Sequence, residues 1–130
     1  MSKPIFSVVV TGSRRWADRP AILRELTKVK LEAESLGYRV VMAHGGQTGA
    51  DTISHEVGEE LGFEVHQHIA EWSALGKKAG PIRNASMLKI ERPRLVLAFP
   101  LRDSIGTLDC IRKARAMDRP PEVRIFPAES

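Results

Sequence analysis

Cysteine is almost missing from this chain. Cys110 stands alone, so no internal disulfide can form and the fold must hold by packing. A single thiol suits a reducing, cytoplasmic setting. Aromatic residues make up only 5% of the sequence, too few for the stacking platform of a dedicated single-strand binder. No apolar run approaches the ~20 residues of a membrane span. Met1-Ser2-Lys3-Pro4 does not read as a signal peptide, and no membrane partner is expected. Three signatures are also absent: the dinucleotide fingerprint G-x-G-x-x-G, the phosphate loop G-x-x-x-x-G-K-[ST] and the nucleophile elbow G-x-S-x-G. His66 and His68 share a strand face, and His44 and His55 flank a loop. Neither pair has a second cluster at ligand spacing, so no metal and no cofactor is expected.

What remains is an ordinary globular composition, 42% hydrophobic and 28% charged over 130 residues, which fits one domain spanning 1–130. Charge is unevenly placed. Residues 1–65 carry 8 basic and 9 acidic side chains, and residues 66–130 carry 12 and 7. The basic half suits phosphorylated ligands or nucleic acid. Arg112, Lys113, Arg115 and Arg119 lie on or after the last helix, with Arg112 and Arg115 on one side by i, i+3 spacing and expected to stand apart from the turn that opens that helix.

The chain is organised around His44-Gly45-Gly46-Gln47-Thr48-Gly49-Ala50-Asp51. An apolar run, Tyr38 to Ala43, precedes it, and Ile53, Val57 and Leu61 follow at helical spacing. A strand, a glycine turn and a helix gather unpaired N–H groups at the positive end of a helix dipole, which suits an anion. Thr48 and Asp51 also have the spacing of a capping box, which needs no ligand, but three glycines in five residues exceed what a cap requires.

Elsewhere, Ile5–Thr11 reads as a strand buried on both faces. Asp18 reads as the N-cap of a helix carrying Ile22, Leu26, Val29, Ala33 and Leu36 and stopping at Gly37. Phe63–Gln67 is a short strand, and His68–Ala79 reads as a long connecting loop. A helix opening at Gly80-Pro81-Ile82-Arg83-Asn84 carries Ile82, Met87 and Ile90 as its apolar positions. Leu95–Phe99 is a strand, Thr107–Met117 a helix and Val123–Phe126 a last strand. This alternation predicts an α/β fold: one Rossmann-like three-layer domain, a mostly parallel five-stranded sheet with helices on both faces. Ligands of such sheets sit beyond the carboxyl ends of the strands. Three glycine-bearing turns fall there: Thr11-Gly12-Ser13-Arg14, Gly45-Gly46-Gln47-Thr48-Gly49 and Ser104-Ile105-Gly106-Thr107. Trp16 and Trp72 fall in loops, where each can either cover a base or pack under the loop.

Val9-Val10-Thr11-Gly12-Ser13-Arg14, Gly45 to Asp51, Trp72, Gly76-Lys77-Lys78-Ala79-Gly80-Pro81-Ile82-Arg83-Asn84, Phe99 and Gly106-Thr107 together resemble the YspA-type branch of the SLOG superfamily. That superfamily is Rossmann-like and includes the "Lonely guy" phosphoribohydrolases and the core of DNA-processing protein A (Smf). The resemblance implies a nucleotide or nucleotide-derived phosphorylated ligand, an origin in bacteria or their phages, and a homodimer. It also implies that Gly12, Ser13, Arg14, Gly45, Gly46, Gln47, Thr48, Gly49, Asp51, Arg83, Asn84, Gly106 and Thr107 line the site. Against the phosphoribohydrolases, Gly106, Thr107, Arg83 and Met87 match, Asn84 replaces a Lys, and Cys110 stands where the catalytic Glu belongs. Against DNA-processing protein A, Gly12-Ser13-Arg14, Gly49-Ala50-Asp51 with His55, and Arg83-Asn84 match. The missing Glu favours a sensor or carrier that holds its ligand unchanged. The alternatives are a nucleotide-processing hydrolase, with Asp103 or Asp109 as the carboxylate, and a DNA-binding protein.

Overall fold

The computed structural model describes residues 3–102 and 104–126. Five strands form one sheet in the order β3-β2-β1-β4-β5, with β1 Ile5–Gly12, β2 Arg39–His44, β3 Glu64–Gln67, β4 Leu95–Phe99 and β5 Glu122–Ile125. Every pairing is parallel. The chain winds outward from β1 to β3, then returns to the other side of β1. That reversal opens a crevice between the carboxyl ends of β1 and its neighbours.

Strand side chains alternate between two helical layers. Phe6, Val8, Val10, Met42, Leu95, Leu97 and Phe99 pack against α1 (Arg19–Ser35) and α2 (Ala50–Glu60), meeting Ile22, Leu26, Val29 and Val57. Val9, Ala43 and Val96 face α4 (Ala79–Glu91) and α5 (Ile105–Arg115), meeting Met87, Leu88, Cys110 and Ala114. Asp18 caps α1 as its sequence suggests, its Oδ1 accepting from Ala21 N at 3.0 Å.

Three expectations change. The segment His68–Ala79 is not all loop: α3 (Trp72–Leu75) and a 3-10 turn (Gly76–Lys78) lead directly into α4. A single turn is too short to show a helical period. Ile82 and Ile90 lie on the outer side of α4, 48% and 66% exposed, while its inner side is Ala79, Gly80, Asn84, Met87 and Leu88. The capping box does not form. Gly49 is the N-cap of α2, Thr48 Oγ1 donates to Arg14 O, and Asp51 reaches back to the Gln47 amide.

Candidate functional site

A cleft of about 730 Å³ opens at the carboxyl edge of the sheet. Its walls include Thr11, Gly12, Ser13 and Arg14 after β1, Gln47 and Asp51 before and within α2, Trp72 and Lys77, and Arg83 and Asn84 of α4. The turn and first helical residues Ser104–Asp109, with Arg112, close it. The amino-terminal ends of α2, α4 and α5 all border it, although Ala50 N already donates to Ser13 O, Ala79 N donates to Gly76 O and Pro81 has no N–H. Six basic side chains line it: Arg14, Arg15, Lys77, Arg83, Arg102 and Arg112. Only two described acidic residues do, Asp51 and Asp109. A larger groove of about 960 Å³ lies between the carboxyl-terminal parts of α4 and α5, with Leu88, Pro93 and Met117 in its walls. No helix begins there, whereas three begin at the smaller cleft.

The loops are built tightly around one another. Gly49 sits at φ +74, and a Cβ there would come within 2.4 Å of the Arg14 and Ser13 backbone. Ala50 N donates to Ser13 O at 3.0 Å across the same crossing. Only glycine permits both the positive φ and the contact. At Gly45 a Cβ would strike the Arg83 guanidinium, which lies across the loop and donates to Gly45 O at 2.5 Å and His68 O at 3.4 Å. Arg83 therefore pins α4 to the end of β2. Gly45, Gly46, Thr48 and Gly49 shape the loop, but they are not among the cleft walls.

Asn84 and Asp109 bridge α4 to α5. Asn84 is buried; its Oδ1 accepts from Arg83 Nε at 2.9 Å, and its Nδ2 donates to Gly106 O and Asp109 Oδ2 at 3.2 and 3.0 Å. Asp109 also accepts from Arg112 at 2.8 Å and Lys113 at 2.9 Å. Burial would raise its carboxyl, but the hydrogen bonds from Lys113 and Asn84 and the nearby cations outweigh this and hold it below its usual range. Both oxygens are engaged. Asp109 is thus an ionised brace. Its partner Arg112 belongs to the cleft wall, not to a surface apart from the third turn, which corrects the expected separation. Asp103 lies outside the described residues. Cys110 is fully buried, and burial pushes its thiol up to about 11, so it offers no nucleophile near neutrality.

Asp51 is different. It is 4% exposed, Gln47 N donates to its Oδ2 at 3.2 Å, and its Oδ1 has no hydrogen-bond partner among the described residues. The Gly45 amide lies near enough to pull the pKa down but makes no hydrogen bond of good geometry. Burial dominates and raises the carboxyl to about 6, against Gln47, Arg83 and Gly45. Below the loop, Gly46 N donates to His44 Nδ1 at 3.0 Å, which places the His44 proton on Nε2, facing His55 Nδ1 at 2.8 Å. His55 Nε2 reaches Glu59 at 2.8 Å. Burial holds the His44 ring neutral, its pKa lowered to about 4. No sequence signal marked this chain of rings as support for the loop.

The two tryptophans part ways. Trp16 is buried with its ring edge-on to Phe99, centroids 5.3 Å apart, so it belongs to the core. Trp72 is 41% exposed, lies over Gly80, and carries the Arg14 guanidinium 5.4 Å from its ring centroid. It roofs the cleft.

A parallel sheet with this order and a cationic crevice at its carboxyl edge define a Rossmann-like domain. The family model described as "YspA, cpYpsA-related SLOG family" matches residues 6–74, and the chain belongs to that family. The matched span carries the first two turns, Asp51 and Trp72. Among proteins it is similar to is the Gene 61 protein of Mycobacterium phage D29, 39% identical over 113 residues, covering 83% of this chain and 87% of that one. No helix among the described residues is long and apolar enough to cross a membrane.

Proposed function

We propose that the protein binds a nucleotide or nucleotide-derived phosphorylated ligand in the carboxyl-edge cleft, as a sensor or carrier. The observation that carries this reading is the convergence of six basic side chains and three helix amino-termini on one crevice. The helix ends turn positive dipoles toward the cleft, and guanidinium groups add planar, charged donors for phosphate. Membership of the SLOG family supports a nucleotide-related ligand. Holding is favoured over hydrolysis by two features: Asp109 is spent on Arg112, Lys113 and Asn84, and the Cys110 thiol is buried and protonated.

The test is a thermal-shift panel with AMP, ADP-ribose and inorganic phosphate. Binding to the native state should raise Tm by mass action. The shift should shrink at high salt and in Arg14→Ala, whose side chain is exposed and carries little of the fold. A panel in which no nucleotide moves Tm at millimolar concentration sinks the reading. Free base released well above a no-protein control would replace it with the hydrolase.

A further inference from the structure

We propose that the floor of the cleft reads sugar hydroxyls, so that the ligand is a sugar phosphate or the sugar phosphate portion of a nucleotide, held sugar inward and phosphate outward. This inference deepens the binding function above and rests on it. The distribution of charge with depth gives the orientation. Five of the six cations, Arg14, Arg15, Lys77, Arg102 and Arg112, are exposed, at the mouth; the sixth, Arg83, is half-buried near Asp51 and donates to Gly45 O, His68 O and Asn84 Oδ1. The carboxylate is at the bottom: Asp51 is almost wholly buried, with one oxygen committed to the Gln47 amide and the other without a partner among the described residues. An unmatched buried acceptor disfavours phosphate at that point and calls for a donor.

Two kinds of ligand group can donate there, a hydroxyl or a base N–H. The hydroxyl fits better for two reasons. The Asp51 carboxyl changes charge near pH 6, and a hydroxyl can donate to the carboxylate and accept from the acid, whereas an N–H can only donate. Gln47, beside it in the wall, offers a side-chain amide that both donates and accepts, matching a second hydroxyl on the same ring.

Calorimetric titration of the wild-type protein with AMP, 2′,3′-dideoxy-AMP, inosine monophosphate and inorganic phosphate tests the inference. AMP and inosine monophosphate should bind alike, and the dideoxy compound roughly tenfold or more weaker, the effect of stranding a charged acceptor. Asp51→Ala should bring AMP down to the level of its dideoxy analogue; if that variant does not fold, the wild-type comparison decides alone. Equal affinity for AMP and dideoxy-AMP overturns the inference and leaves the phosphate cleft standing. Weak binding confined to inosine monophosphate assigns Asp51 to the base and also overturns it. If none of the four binds, the cleft reading fails and this inference with it.

Discussion

The two faces of the sheet are built from different materials. Among the described residues, the α1/α2 side gathers a cluster of 17 buried apolar side chains, and the α4/α5 side a cluster of 7. The second face fills its remaining space with polar groups: Asn84 and Asp109 between the helices, and Glu91 beneath His66 and His68 at 3.0 and 2.5 Å. Apolar packing tolerates no charge but needs no partner. Polar packing fixes direction, because each group must meet a specific donor or acceptor. The first face therefore supplies most of the apolar packing and the second fixes Arg83, Asn84 and Arg112 by polar bonds, while Asp51 and the His44–His55 pair belong to the α2 side.

Leu26→Ala should have the largest effect on this division. Leu26 is fully buried in the apolar cluster, and its truncation should cost about 3–4 kcal/mol in denaturant unfolding. Ligand affinity at the carboxyl-edge cleft should be unchanged under native conditions. A parallel loss of affinity would show that the faces are not separable.

The next effect appears in acid, where one ionisable group on each side of α2's start pulls the other way. His44 titrates near 4 in the fold against an ordinary 6.5. As pH falls through that window the unfolded chain takes up a proton that the folded one refuses, and stability is lost, on the order of 3 kcal/mol. Asp51 titrates near 6 against an ordinary 3.8. As pH falls from 6 toward 3.8 the folded chain holds a proton that the unfolded one releases, and stability rises by a similar order. The two nearly cancel. Asp51→Asn should remove the gain and expose the His44 loss, giving a stability profile that falls more steeply than wild type between pH 6 and 4. Parallel profiles for the two proteins would refute the assignment.

The smallest effect belongs at the rim of the apolar face. Arg124 of β5 meets both Glu32 oxygens of α1, at 2.8 and 3.2 Å, with both side chains partly exposed. Glu32→Gln should lower stability by less than about 1 kcal/mol, because water competes for each charge. A cost several times larger would mean that the edge strand depends on that pair.

The apolar face was the legible one. Ile5–Thr11 and Leu95–Phe99 are continuous because they are buried on both sides, and Ile22, Leu26 and Val29 mark their helix by period alone. The other face hid itself. Asn84 on the inner side of α4, with Ile82 and Ile90 outside, inverts the pattern that periodicity relies on. The glycines of the central loop pointed to the edge of the sheet where the cleft opens, although Gly45 and Gly49 make room for Arg83 and for the Ser13–Arg14 backbone. Sequence separation concealed the rest. Nothing local says that Asp109 will be consumed by Asn84, Arg112 and Lys113, or that Asp51 will be left with an open oxygen.

The crossing at Gly49 has a consequence in time. Because the loop after β2 is pressed against the loop after β1 and bonded to it through Ala50 N and Ser13 O, the two cannot open independently. A ligand of the proposed kind would meet a wall already assembled, with little chain left to order. Association should therefore be a single fast phase whose rate rises linearly with ligand concentration, with no slower isomerisation behind it. Discrimination among ligands would then be expressed in how long each one stays.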